Sequence, residues 1–152
     1  VRGEWQATIV GAGSFLPHCK KLVVRLGIAE RVSFPGWVPH AQLDDYYRSS
    51  RLLVVPSRWP EPFGMVGIEA MARGRPVVAF SNGGIPDWLD HETTGLLVPA
   101  ADVGAMTSAI QRILDDGLLA ARMGEAAAEH VLNTFGHQAY LERMKQQMEQ
   151  IT

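Results

Sequence analysis

Five short apolar runs alternate with longer stretches whose apolar residues recur every three to four positions. This alternation is the feature that most constrains the fold. The runs are 7–10, 32–34, 52–56, 76–80 and 95–98. Each is apolar at nearly every residue, the pattern of strands covered on both faces. Between them, Leu16, Cys19, Leu22/Val23 and Leu26 make one helical stripe, with Gly27 placed to cap its C-terminus. Helices are predicted over 41–50 and 62–73, and a short helical turn over 85–89. Beyond the last run the pattern is wholly helical. One stripe runs through Val103, Met106, Ile110 and Ile113/Leu114, with Asp102 as its N-cap. A second runs through Leu119, Met123, Ala126/Ala127, His130/Val131 and Phe135, and a third through Tyr140/Leu141, Met144, Met148 and Ile151. Such Met-rich stripes are read as packing.

Strand–helix alternation predicts an α/β fold: a Rossmann-like, mostly parallel sheet with helices on both faces and a helical C-terminal tail. The whole chain, 1–152, is expected to be one domain, with the sheet region in 1–100 and the helices in 101–152. In such sheets ligands bind at the carboxyl ends of the strands. The loops after Val10, Phe34, Pro56, Phe80 and Val98 are therefore where chemistry is expected.

Composition excludes several classes. Fourteen basic and sixteen acidic residues are dispersed along the chain with a net charge of −2, so no basic stripe marks a nucleic-acid partner. No apolar run approaches the roughly 20 residues that span a bilayer. The lone Cys19 rules out an internal disulfide framework and suits a reducing, cytoplasmic compartment, where a packed thiol is the expected role. His18, His40, His91, His130 and His137 show no metal-ligand spacing and read as surface or packing residues. Asp44 and Asp45 read as solvated, Tyr47 as packing, and Asp115-Asp116-Gly117 as a helix end. Trp59 reads either as a cleft wall or as a loop anchor.

The first loop, Gly11-Ala12-Gly13, lets backbone approach a ligand near a helix N-terminus. A tight strand–helix turn explains it equally well, since Leu16 replaces the third glycine of a dinucleotide fingerprint. The richest stretch is 54–72, where a buried strand ends in a Pro-rich loop and a helix is expected to begin near Pro62. Gly64 and Gly67 lie in this helical stretch. A glycine there costs about 1 kcal/mol relative to alanine, which points to something approaching the backbone closely. Glu69 is the only charged residue from Pro62 to Ala72. Spacing alone leaves two readings: a carboxylate on a narrow solvent face, or one facing a polar ligand such as a cis-diol.

The stretch Pro-Ser-x-x-x-Glu-Pro-Phe-Gly-x-x-x-x-Glu-Ala-Met-Ala-x-Gly-x-Pro-Val-Val-Ala, 56–79, resembles the signature of the glycosyl transferases group 1, the retaining family 4 glycosyltransferases. The likeness extends upstream through Ile-Val-Gly-x-Gly (9–13), 26–38 and Leu-x-x-Tyr-Tyr (43–47). Downstream it runs through Gly83-Gly84-Ile85-Pro86-Asp87 and Thr94-Gly95-Leu96-Leu97-Val98-Pro99. It covers nearly the whole chain in the family's order.

The resemblance implies the C-terminal, donor-binding lobe of a GT-B enzyme. Such an enzyme moves a hexose from a nucleoside-diphosphate sugar to an acceptor, without a metal or other cofactor. It implies that Glu61, the catalytic candidate, contacts donor-sugar hydroxyls. Phe63, Gly64 and Met65 would offer backbone amides to the donor phosphates, and Glu69 would bind the ribose hydroxyls. Trp37 and Val38 would border the base, Gly11 and Gly13 would line the same cleft, and Gly83 and Gly84 would mainly form a tight turn. Asp87 and His91 depart from the family's usual Glu and Gly, away from these contacts.

The family also opens this lobe with a strand followed by an Arg and a Lys that clamp the donor pyrophosphate; nothing before Gly11 can hold them here, since Arg2 lies too close to the 7–10 strand and Arg58 lies in a different loop. The chain therefore reads as a fragment lacking the lobe's first strand and the acceptor lobe, inactive by itself. Its missing lobe would be the principal partner, and any peripheral membrane association would run through that lobe. The slot between the 7–10 and 52–56 strands is expected to be filled by another segment rather than closed. A non-catalytic nucleotide-sugar-binding module is the alternative from another class. A sugar-nucleotide 2-epimerase is the other enzyme, disfavoured by the Glu-Pro-Phe-Gly context.

Overall fold

The computed structural model describes residues 1–149 of the 152. They fall into two compact units, one from Arg2 to Tyr46 and one from Tyr47 onward. Their strands form separate parallel sheets of two and three strands, and the 7–10 strand is not paired with the strand expected over 52–56, in keeping with a slot that does not close within the chain.

In the first unit, β1 (Ala7–Val10) pairs in parallel with β2 (Val32–Gly36), and α1 (Leu16–Arg25) connects them. β2 runs two residues beyond the expected Phe34, and the Gly11 amide donates to the Gly36 carbonyl at 2.8 Å. Gly27 caps α1 as expected. Its φ is +68°, its amide donates to Val24 O at 3.0 Å, and the Ile28 amide donates to Val23 O at 3.0 Å. These are the two bonds of a Schellman motif, which satisfies the helix's last carbonyls.

The second unit starts within α2 (His40–Ser49), at Tyr47. Its sheet has the order β3 (Leu53–Val55), β4 (Val77–Phe80), β5 (Gly95–Val98), all parallel. Only β4 is buried at every residue. It lies between two neighbours, whereas β1 leaves Thr8 and Ile9 exposed, so coverage of both faces holds for the central strand alone. Val78, Phe80, Leu96 and Val98 pack against Met106, Ala109, Ile113, Leu119, Ala120 and Met123. These last six come from α4 (Val103–Asp115) and α5 (Gly117–Phe135).

Asp102 is the N-cap of α4, accepting from the Ala105 amide at 2.9 Å, and Asp116 caps α5 in the same way through Leu119. The 115–117 segment therefore starts a helix as well as ending one. Val103 departs from its stripe and is exposed. So does the third stripe: α6 (His137–Glu149) has no buried residue, and Tyr140, Leu141, Met144 and Met148 are exposed. Ile151 lies outside the described residues. Among the described residues no helix is long and apolar enough to cross a membrane.

The helix expected from Pro62 is shorter: α3 spans Met65–Met71. Gly64 takes φ +84°, ψ 50°, a left-handed conformation that interrupts helical geometry before Met65, so Pro62 is not a first helical residue. At the other end the Arg75 amide turns back to Ala70 O at 3.0 Å, with Gly74 at φ +68°.

Candidate functional site

The predicted site residues divide between the two units. Gly11, Gly13, Trp37 and Val38 belong to the first, and Glu61, Phe63, Gly64, Met65 and Glu69 to the second. In the first unit, Gly11 has φ +135°, and a β-carbon at Gly11 or Gly13 would meet nothing within 4 Å. No protein group crowds these glycines; the backbone angle accounts for Gly11. Trp37 follows β2 with its side chain largely exposed, and Val38 is half-buried.

In the second unit the segment between β3 and α3 is held from behind by the Gly83–Leu89 segment. The Gly84 amide donates to Glu61 O at 2.8 Å. A β-carbon on Gly83 would stand 2.2 Å from that carbonyl oxygen, and one on Gly84 would stand 2.5 Å from Pro62 O. Only glycines allow this approach, so the pair does more than turn the chain: it seats Glu61 and Pro62. Ser57 Oγ lies 3.4 Å from Glu61 Oε2, and Asn82 Nδ2 donates to Ser57 O at 3.2 Å.

Trp88 is fully buried. Its indole lies where a β-carbon on Gly67 would be, with Cη2 2.0 Å from that position. The group that approaches the α3 backbone closely is therefore this ring. Trp88 Nε1 also donates to the Phe63 carbonyl. The Phe63 ring meets Phe135 edge-on at 5.7 Å between centroids. Met65 opens α3 with an exposed side chain, and as a first-turn amide its N–H has no intrahelical acceptor. Trp59 is 80% exposed, which removes the loop-anchor reading.

Glu69 has a partner that neither reading of its spacing supplied. The Tyr47 hydroxyl donates to Glu69 Oε2 at 2.9 Å, while Arg73 donates from Nη1 to the Glu69 carbonyl at 2.7 Å. The Arg73 guanidinium also lies 5.0 Å from the centre of the Tyr47 ring. Burial, then the hydrogen bond to Glu69, pushes the Tyr47 phenol well above its ordinary range, so it stays a donor. Tyr47 packs as expected, being buried, and it also donates to a predicted site carboxylate. Its place on a different helix, 22 residues away in sequence, gave no local signal.

His91 Nδ1 accepts from the Leu97 amide at 3.0 Å, and His130 Nδ1 lies 3.3 Å from Asp90 Oδ2. Among the described residues no group of three or more His, Cys, Asp or Glu side chains is arranged to hold a metal ion.

The glycosyl transferases group 1 family pattern matches residues 1–130, most of the chain. The chain belongs to this family. It is 45% identical over 121 residues to a D-inositol 3-phosphate glycosyltransferase of Streptomyces avermitilis, covering 79% of this chain and 26% of that protein. It is 36% identical over 125 residues to the alpha-D-kanosaminyltransferase of Streptomyces kanamyceticus, covering 82% of this chain and 32% of that one. Among solved structures it is similar to sucrose-phosphate synthase from Thermosynechococcus elongatus, with TM-score 0.85, 38% identity, and 96% and 38% of the two chains covered. The Anabaena protein HepE, in complex with UDP and glucose, aligns with TM-score 0.85 at 25% identity, over 95% of this chain and 40% of that one. The α/β fold with parallel sheets and a helical C-terminal end matches these GT-B glycosyltransferase structures. The chain thus spans about a quarter to two-fifths of the relatives it matches.

Proposed function

We propose that this chain is the donor-binding, C-terminal lobe of a retaining family 4 glycosyltransferase, one that moves a hexose from a nucleoside-diphosphate sugar to an acceptor held by a separate lobe. The observation that carries the reading is the Glu61–Glu69 segment: two half-buried carboxylates, one beside Ser57 Oγ and one bonded by the Tyr47 hydroxyl, flank the left-handed Gly64 and the start of α3. HepE has been solved with UDP and with UDP-glucose, which supports a uridine nucleotide as the first donor to test.

In this reading Glu61 contacts hydroxyls of the transferred sugar. The amides of Phe63, Gly64 and Met65 face the diphosphate, where backbone N–H groups offset its charge as the bond to the sugar breaks. Glu69, oriented by Tyr47, takes the ribose hydroxyls. Catalysis is then placement and charge stabilisation, without a metal ion. The acceptor lobe supplies the other wall, so this chain alone transfers no sugar.

The test is an NMR titration of the 152-residue chain with UDP, GDP and ADP. Binding of one of them, with amide shifts concentrated in 61–69, is the expected result. Absence of binding by all of them, or shifts that avoid this segment, overturns the proposal.

A further inference from the structure

We infer that Trp88 is a positioning residue that orients and polarises the Phe63–Gly64 peptide group, so that its N–H, opposed to the carbonyl the indole binds, becomes a stronger donor to a nucleoside diphosphate. The inference rests on the donor-binding reading above and adds to it a residue outside the binding segment.

Three observations converge on the indole. First, Trp88 has no exposed surface, although it follows a short helical turn, Ile85–Asp87, between two surface loops. Second, the ring occupies the space that a side chain on Gly67 would fill. It also lies 3.1 Å from where a β-carbon on Gly64 would stand, a residue further hemmed in by Glu61 Cγ at 3.3 Å and Ile85 Cγ1 at 3.7 Å. Packing of this kind leaves Gly64 little freedom to leave its left-handed conformation. Third, Nε1 donates to the Phe63 carbonyl.

That carbonyl and the Gly64 N–H are the two ends of one peptide group. A donor on the oxygen draws electron density toward it and makes the N–H at the other end a better donor. The indole therefore sets the direction of the amide and strengthens it. The same segment seats Glu61 through Gly83 and Gly84, so one stretch of chain, Gly83 to Trp88, backs both the carboxylate and the amides. Gly67 and Trp88 act as a pair: the missing side chain on α3 makes room for the large ring beneath it.

The experiment follows the Trp88 indole N–H by NMR in the wild-type chain, assigned by elimination with Phe variants at Trp5, Trp37 and Trp59, while UDP is added. When phosphate accepts from Gly64, the Phe63 carbonyl becomes the stronger acceptor, and the indole proton is expected to move downfield in step with the Gly64 amide. A second arm compares Trp88→Phe with Gly67→Ala/Trp88→Leu, which refills the space with aliphatic groups. Both are expected to bind UDP about fivefold or more weakly, the loss from one polarising hydrogen bond. The double variant is expected to do so while staying close to wild type in melting temperature. An indole signal that stays fixed while the Gly64 amide shifts overturns the inference, as does wild-type affinity in the double variant. Either result leaves the donor-binding reading standing. If UDP, GDP and ADP all fail to move the 61–69 amides, it is the donor-binding reading itself that fails. Should either variant not fold, the wild-type indole signal still decides.

Discussion

Tyr47 and Glu69 are joined by a 2.9 Å hydrogen bond between the side chains of two different helices, α2 and α3. The phenol is buried and the carboxylate half-buried, so the bond fixes which way Glu69 points rather than merely shielding it. Tyr47→Phe removes the donor and keeps the ring. It is expected to destabilise the chain by about 1 kcal/mol, the usual net value of such a bond. The pH dependence has a definite sign. The folded-state pKa lies above the ordinary value of 10.0, so the stabilisation is full below about pH 10 and declines as pH rises beyond it, where the unfolded phenol ionises first. Urea titrations at pH 8 and pH 11 check this: the gap between wild type and Tyr47→Phe should narrow at the higher pH.

The same pair bears on nucleotide choice. With Glu69 on the ribose, Glu69→Ala should erase most of the preference for UDP over deoxyuridine diphosphate, and Tyr47→Phe should reduce it partially. Calorimetric titrations with both nucleotides measure the ratio directly. An undiminished preference in Glu69→Ala would remove Glu69 from the ribose site.

Gly67→Ala reverses the usual helix rule. A mid-helix Gly→Ala change ordinarily stabilises by about 1 kcal/mol. Here the new methyl would sit 2.0 Å from Trp88 Cη2, inside the ring's own volume. The expected outcome is a loss of about 1–3 kcal/mol from overpacking, read as a lower denaturation midpoint. Relief of that loss by Trp88→Leu would confirm that the ring, not the helix, is the source.

Much of this architecture was legible in the residues. β1 and β5 were predicted with their observed bounds, and the caps at Gly27 and Asp102 followed from residue type and position alone. What escaped was set by tertiary contacts. The late start of α3 depends on a left-handed Gly64 pressed by Trp88, and no local pattern distinguishes that glycine from one that bends toward a ligand. The third helical stripe reads as packing by period, yet no surface buries it in this structure. The roles of Tyr47 and Trp88 come from partners 22 and 25 residues away.

The cap of α5 gives a prediction independent of function. Asp116 Oδ1 accepts from the Leu119 amide at 2.9 Å at the start of the helix whose Leu119, Ala120 and Met123 join the core. Asp116→Ala should cost about 1 kcal/mol and Asp116→Asn much less, because the amide oxygen of Asn can still accept. Thermal melts of both variants test the ordering.

Two left-handed glycines separate backbone strain from steric exclusion. Gly27 has φ +68° and open space around it, while Gly83 has φ +58° and Glu61 O only 2.2 Å from where a β-carbon would stand. Gly27→Ala should therefore cost only the left-handed penalty, about 1 kcal/mol, and leave nucleotide binding unchanged. Gly83→Ala carries that penalty and also pushes the Glu61 backbone off its seat, disturbing the 2.8 Å bond from the Gly84 amide. It should lower stability by more than Gly27→Ala and also weaken binding of UDP-glucose, because Glu61 is proposed to meet the sugar. Binding of UDP itself, which lacks the sugar, should suffer less. If Gly83→Ala weakened both ligands equally, the displacement would have reached the phosphate-facing amides, and Glu61 would no longer explain the difference.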